Sequence, residues 1–450
     1  MNPELEEALA YLDRLLLRAH RHDAALFAEL TKAQEATGIM HGRRPISPFL
    51  RPYFLEESRY REIKRAAHLI SSAFDLLARA ALDTPELMSR IGLTEAEEKF
   101  ARFEPGYQAV SVTSRLDTFL GSKSFKFLEY NAETPAGVGD QHKLQAIAQR
   151  IPLISEFLSN HPHYFPQPHV HLLHSLDAAY REFGGRKKKP NIGIVDWAGV
   201  DTSAEFEILR VYFESCGYQT RILDPSELEF DGNVLRSGNF AIDIFYKRLI
   251  IHEFLERFDE THPISRAVAL RRVCMANSFR SKIPHKKSGL AVLSDERYHH
   301  LFTSSQIEAI NEHIPWTRVV EDGRTTFQDD IVDLLNFLRE SRNRLVLKPI
   351  DDYGGKGIVF GWEASESEWD DAIARALVEP YVVQERAVVE QIDIPVFTDY
   401  EARIETLTVD FDPFLFMGEV EGGMVRLAPG SLVNITQGGG EAALAILKNY

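Results

Sequence analysis

Cysteine is nearly absent: the 450 residues include only Cys216 and Cys274. That rules out a disulfide framework and fits a reducing compartment. The chain also lacks any run of about 18 apolar residues, so no membrane span is expected. Its start, "MNPELEEALAYLDRLLLRAH", has the spacing of a charged amphipathic helix, without the basic head and apolar stretch of a signal peptide. A cytoplasmic protein is the expectation. Surplus positive charge is missing too. Against 51 Lys and Arg stand 67 Asp and Glu, a formal net charge of −16, which excludes nucleic acid as the main partner. Small anionic ligands need only a local basic pocket and remain open.

What is present is an ordinary globular composition, 44% hydrophobic, long enough for two or three structural units. Residues 1–185 begin with helical periodicity, as in "YREIKRAAHLISSAFDLLARAAL", and continue into two strand-like stretches and further helices. The basic run "GGRKKKP" reads as a solvated boundary. Residues 186–275 alternate strand and helix ("NIGIVDW", "SAEFEILRVYFESCGY", "QTRILD"), as a small α/β unit does. Residues 276–450 are rich in strands, including "NRLVLKPI", "YVVQERA" and "EARIETLTVD". The fold class is mixed α/β with a helical N-terminal portion.

Chemistry concentrates first in "SRLDTFLGSKSFKFLEYNAETP". Arg115 and Asp117 share one face of a strand. So do Phe127, Glu129 and Asn131, because side chains alternate. A hairpin turning near Lys123 places Asp117 opposite Glu129 and Arg115 opposite Asn131. Two facing carboxylates repel, and a divalent cation between them reverses the sign. Asp, Glu and Asn oxygens are hard ligands suited to Mg²⁺, and an adjacent arginine can steady a phosphoryl group. The plainer alternative is a surface hairpin whose arginine and acids pair in water.

A second concentration is "LVLKPIDDYGGKGIVF". Lys348 ends a strand, and Gly354, Gly355, Lys356 and Gly357 form a loop before the next. Glycines let backbone N–H groups approach phosphate oxygens, and lysines supply charge. The spacing is not that of a Walker A loop. A simple Gly-rich hairpin turn is the competing reading.

Strand, Lys-Pro, Gly-rich loop, strand, and then an apolar strand ending in Gln384-Glu385 resembles the nucleotide-binding part of the ATP-grasp family. The Glu129-x-Asn131 motif lies upstream of that region instead of after it. This order resembles the circularly permuted branch that includes glutathionylspermidine synthetases. "RLD" at 115–117 and "EYNAETP" at 129–135 match the branch's paired motifs, and "GGMVRLAPGSLVNITQGGG" matches its closing segment.

The resemblance implies a circularly permuted ATP-grasp-type fold and a ligase using ATP and Mg²⁺ to join a carboxylate to an amine through an acyl phosphate. It assigns the metal to Asp117, Glu129 and Asn131, and the ATP phosphates to Lys348 and a lysine on an earlier strand. Lys287 is the best match for that lysine, with Lys286 its near rival. Gln384 and Glu385 match the adenine hinge, Gly354, Gly355 and Lys356 the lid, and Arg115 and Arg426 the active-site arginines. In these terms, 1–185 carries the metal-binding hairpin, 186–275 the substrate side and 276–450 the nucleotide-binding portion. The partners implied are small-molecule carboxylate and amine substrates. A cysteine-based amidase, present in bifunctional members, is not expected; Cys216 and Cys274 read as apolar-like residues. A ligase acting on a peptide or amino acid unrelated to glutathione, or a non-catalytic nucleotide-binding protein, are the alternatives.

Other candidates are weaker. "HPHYFPQPHVHLLH" clusters five histidines without an acid or cysteine at a ligand spacing. Thr202 with Glu205 has the form of a helix capping box. Lys247 and Arg248 end a strand, pointing either toward a cleft or into solvent.

Overall fold

The computed structural model describes residues 3–448 except 23, 42–43, 122–123, 329, 353, 399–400, 431–432 and 434–438. The hairpin turn expected near Lys123 therefore lies outside the described residues, as does most of 431–438 in the closing segment.

The early hairpin forms as the alternation requires. Thr113–Leu120 pairs antiparallel with Phe125–Asn131, Arg115 facing Asn131 and Asp117 facing Glu129. One detail differs from the alternation. After Asp117 the register shifts, so that Thr118 faces Phe127 and Leu128 is the extra residue of a β-bulge. Phe127 consequently does not share a face with Glu129 and Asn131. It turns to the other side, fully buried with Leu116, Leu120, Phe125 and Tyr130.

That apolar side packs on the 27-residue helix Glu57–Asp83, whose three- and four-residue spacing buries Ile63, Ala67, Ile70, Phe74 and Leu77. Phe74 stacks on Tyr130 with ring centroids 4.6 Å apart. The polar side of the hairpin is left facing away from the helix.

The hairpin is built into a six-stranded sheet with the last strands of the chain. The order is Gly440–Ala442, Glu419–Ala428, Glu401–Phe416, Thr113–Leu120, Phe125–Asn131, and Gln391–Thr398 also pairs with Glu401–Phe416. The upstream acidic motif is thus delivered to the C-terminal sheet by strand pairing, not by sequence neighbourhood.

A second sheet runs in the order Thr317–Val319, Tyr381–Glu385, Leu345–Pro349, Val359–Phe360. Leu345, Leu347, Tyr381 and Val383 bury one face against the helices Leu334–Glu340 and Glu366–Ala376. Alternation turns Val346, Lys348 and Gln384 to the opposite face, toward the first sheet. A third sheet is parallel: Cys274–Ala276, Ile244–Lys247, Ile192–Val195, Thr220–Leu223. Its first three strands are wholly buried, as parallel strands covered on both faces are. Finally, Leu444–Leu447 lies between Tyr53–Glu56 and His163–Tyr164. No helix among the described residues is long and apolar enough to cross a membrane.

Candidate active site

A cavity of about 620 Å³ opens between the first two sheets. The hairpin lines it with Arg115, Asp117, Leu128, Glu129 and Asn131; the second sheet with Val346, Lys348, Gln384 and Glu385; the Gly-rich loop with Gly354 and Gly355; and the C-terminal strands with Asp410 and Arg426.

On the hairpin, the Asn131 amide donates to Asp117 Oδ1 at 2.6 Å. Arg115 Nε lies 3.3 Å from the same oxygen and its terminal nitrogen donates to Ala136 O at 2.9 Å. Arg426 reaches Asp117 Oδ2 at 2.7 Å. Burial alone raises the Asp117 carboxyl, but Arg426 and then Arg115 outweigh it and hold the group down to about 2. Glu129 is ion-paired to Lys287 at 3.0 Å. The two carboxylates therefore do not confront each other unneutralised, as the sequence suggested. Each has its own cation.

Two further acids belong here that sequence reading missed. The bulge and a gap in pairing between Arg115–Phe414 and Phe119–Asp410 open the ladder. The Thr118 N–H donates instead to Asp410 Oδ1 at 3.2 Å and Asp412 Oδ1 at 3.1 Å. Carboxylate oxygens of Asp117, Asp410 and Asp412 lie within 4.8 Å of one another. Into their midst comes Arg426, which sits opposite Asp410 in the register and contacts all three at 2.7, 2.5 and 2.8 Å. Burial pushes Asp412 well up against the pull of Arg426, and the acids hold Arg426 well above its ordinary value despite burial. The arginine is the counter-ion of this trio. A signal existed: "VDFDPF" places two acids two residues apart on an apolar strand, the same pattern as "RLD".

Across the cavity, Lys348 is buried and donates to Gln384 Oε1 at 2.8 Å, with Leu128 O of the bulge at 3.4 Å. Burial lowers this lysine to about 8, with Glu129 opposing and Lys287 adding to the effect. Gln384, a residue matched to the adenine hinge, is itself buried and donates to Thr317 Oγ1 at 3.1 Å, while Glu385 pairs with Arg344 at 2.6 Å.

Lys287 sits at the start of the short helix Ser288–Leu293, not on a strand as the resemblance implied. Its ammonium reaches both Glu129 and Asp352 O, the latter at 2.8 Å. Lys286, the rival, points elsewhere, to Glu97 at 2.8 Å and Asp351 at 2.6 Å. Gly354, Gly355 and Gly357 all have positive φ, at 68°, 78° and 69°, which is why glycine is needed there. Lys356 follows in the same turn; Tyr353 lies outside the described residues.

Other sequence candidates are displaced from the cavity. Lys247 and Arg248 face neither a cleft nor solvent. Both are buried in ion pairs, Lys247 with Glu133 at 3.7 Å and Arg248 with Glu205 at 3.2 Å. Glu205 makes no capping box, and Thr202 accepts no capping bond. Its carboxylate instead accepts from the N–H groups of Gly137 and Gly139, at 3.0 and 3.2 Å. Glu133, the acid of the "ETP" motif, is buried among Lys282, Lys247 and His285, which overcome burial to hold it at about 2. The histidine-rich stretch becomes the short strand His163–Tyr164 and the helix Pro168–Glu182. Among the described residues, it forms no group able to hold a metal.

No protein-family model matches the chain. A Frankia casuarinae protein, provisionally named glutamate–cysteine ligase 2-2, is 26% identical over 235 residues, 49% of this chain and 25% of that protein. An uncharacterized Mycobacterium tuberculosis protein is 31% identical over 156 residues, 33% of this chain and 27% of that protein. The chain spans about a quarter of the length of these curated relatives. Among solved structures, a glutathione synthetase-like effector from Globodera pallida, in its apo form, superposes with a TM-score of 0.57 at 14% identity, covering 96% of this chain and 97% of that one. At that identity the likeness is one of fold. The chain has a mixed α/β fold of the ATP-grasp type, the fold class its motifs led one to expect.

Proposed function

We propose that the chain is an ATP- and Mg²⁺-dependent carboxylate–amine ligase, glutathionylspermidine synthetase-like, that forms an amide through an acyl phosphate. The observation that carries this reading is the cavity itself. A buried lysine on one sheet and a hairpin of hard oxygen ligands on the other face a common space of about 620 Å³, within the range of small-molecule pockets. The donor set fits both groups: Asp117, Glu129 and Asn131 offer oxygens suited to Mg²⁺, and Lys287, Lys348 and the positive-φ glycines offer what phosphates need.

Bound Mg²⁺–ATP would supply the phosphoryl group that activates the carboxylate. The chain's own part is positioning and charge. Lys287 and Lys348 would hold the phosphates, and the Asp410–Asp412 pair keeps Arg426 aimed at the hairpin. Arg115, fixed by Ala136 O, would steady negative charge on the transferring group. The Gly354–Gly355 turn would cover the phosphates and exclude water. A ligase for amino-acid or peptide substrates is the second reading, favoured by the partial likeness to the Frankia protein. Screening carboxylate and amine pairs for substrate-dependent ADP release, with mass detection of the amide, tests the proposal. ATP binding without turnover on any pair would favour a non-catalytic nucleotide-binding protein.

A further inference from the structure

We infer that Asp351 and Lys282 are positioning residues, which fix the wall of the cavity that carries Lys348 against the wall formed by the hairpin. The inference rests on the nucleotide reading above, because what it positions is Lys348. The two walls belong to separate sheets, and a cavity between sheets keeps its shape only if something sets their spacing. Residues 282–287 supply that link. Lys282 reaches Glu133, in the segment that leaves the hairpin, at 3.2 Å, and Asp351 Oδ1 at 2.8 Å. Lys286 takes the second oxygen of Asp351 at 2.6 Å and Glu97 at 2.8 Å. Lys287 touches Glu129 of the hairpin and Asp352 O, and its own N–H donates to Ile350 O at 3.0 Å.

Asp351 lies just beyond the strand Leu345–Pro349, three positions after Lys348. With both oxygens taken by lysines, it ties the end of that strand to a cluster in which Glu97, Glu133 and Asp351 meet Lys247, Lys282 and Lys286. Lys282, Glu133 and Glu97 are 0%, 1% and 2% exposed, so these charges answer one another and not water. Burial works against the charge on Asp351, but Lys282 and then Lys286 outweigh it and hold the carboxyl below the ordinary carboxylate range. A buried ion pair adds little net stability, yet it is costly to break. Here that cost holds the strand end, and with it Lys348, at one distance from the hairpin. Lys282 is the strut, since it touches Glu133 on one side and Asp351 on the other.

The test is Asp351→Asn in the intact chain, read by calorimetry with Mg²⁺ and the non-hydrolysable ATP analogue AMP-PNP. Charge and positioning predict opposite signs. Losing a carboxylate while its lysines stay would, on charge alone, tighten the binding of a polyanion. Losing the strut lets Lys348 shift, and affinity should fall about tenfold. Glu97→Gln is the control: it removes an acid from the same cluster but spares both Asp351 contacts, so its affinity should stay at the wild-type value. Asp351→Asn/Lys286→Met keeps the cluster's charges in balance. It should regain the melting temperature lost in Asp351→Asn but not the affinity, and it serves if the single variant fails to fold. Hydrogen exchange of residues 345–352 without nucleotide should be faster in both Asp351 variants and unchanged in Glu97→Gln. Affinity unchanged or raised in the Asp351 variants, or lowered equally in Glu97→Gln, would overturn the positioning role while leaving the nucleotide site standing. Wild-type protein that does not bind AMP-PNP would instead overturn the nucleotide reading, and unchanged exchange in the Asp351 variants would overturn the strut with or without it.

Discussion

Arg426→Met removes the guanidinium that, among the described residues, contacts Asp117, Asp410 and Asp412 together. Methionine keeps most of the stem's volume, so the change is chiefly one of charge. What remains are three carboxylates with oxygens within 4.8 Å of one another, neutralised among the described residues by Arg115, which lies 3.3 Å from Asp117 and 3.6 Å from Asp412. Removing one partner of a buried ion pair costs about 3–5 kcal/mol. Because three acids share this cation, the upper part of that range is expected near neutral pH.

The pH dependence carries the sharper test. In the wild type, Asp117 is held at about 2, below its unfolded value, so its contribution is present above the ordinary carboxylate range and is lost as pH falls toward 2. In the variant Arg115 alone is left against three acids, and it lies farther from them than Arg426 did. The acids should take up protons as pH drops, and protonation relieves their repulsion. The stability gap between wild type and variant should therefore be widest at pH 7–8 and narrow on acidification. Urea unfolding of both proteins at several pH values, followed by intrinsic fluorescence, measures it. A gap below about 1 kcal/mol at pH 7, or one that does not narrow, would refute the view that Arg426 is the counter-ion of this cluster.

Lys348→Ala should weaken ATP binding by about 1.5–3 kcal/mol, the worth of a charge-assisted contact, measured by calorimetry. Since burial lowers Lys348 to about 8, wild-type ATP affinity should fall as pH rises through 8, where this ammonium loses its proton, instead of near the ordinary lysine value. Replacing Gly354 and Gly355 together with Val forces side chains into backbone at φ 68° and 78°, at about 1–2 kcal/mol each. The protein should still fold but lose nucleotide-dependent protection of the loop from protease. Thr202→Ala should shift the melting temperature negligibly, within about 0.5 kcal/mol, because Thr202 makes no capping bond; a loss nearer 1 kcal/mol would restore the capping box.

Local features were the legible ones. The facing of Asp117 with Glu129 and of Arg115 with Asn131 follows from side-chain alternation and a short turn, and the ladder has that register. The strand–loop–strand around Lys348 was likewise marked by its glycines. Phe127 was misplaced because a bulge leaves no mark in composition: one extra residue, Leu128, reverses the face of everything before it. Asp410 and Asp412 went unremarked because their meaning depends on a strand nearly three hundred positions upstream, reached only through Thr118. Glu205 imitated a cap since an acid three residues after a threonine is the local signature of one, and the glycines and arginine that claim it are tertiary. Lys286 and Lys287 are neighbours in sequence, and what separates them, a Glu129 pair at the hairpin for one and a separate buried network for the other, is three-dimensional.

The union of the Thr113–Asn131 hairpin with Glu401–Phe416 joins Asp117 to Arg426 across 309 residues of sequence. During synthesis from the N-terminus, the ribosome releases the acid hairpin long before its partner strands exist. Until then, one face shows Phe125, Phe127 and Tyr130, covered by the Glu57–Asp83 helix and later by His313, and the other shows acids without Arg426. Pairing over such separations is slow because the chain must close a large loop first. The cavity between the two sheets is accordingly among the last parts to be completed. A nascent or truncated chain holding the hairpin but lacking residues 401–428 has no means of neutralising Asp117 through Arg426, and it presents an unpaired strand edge as a target for chaperones or for aggregation.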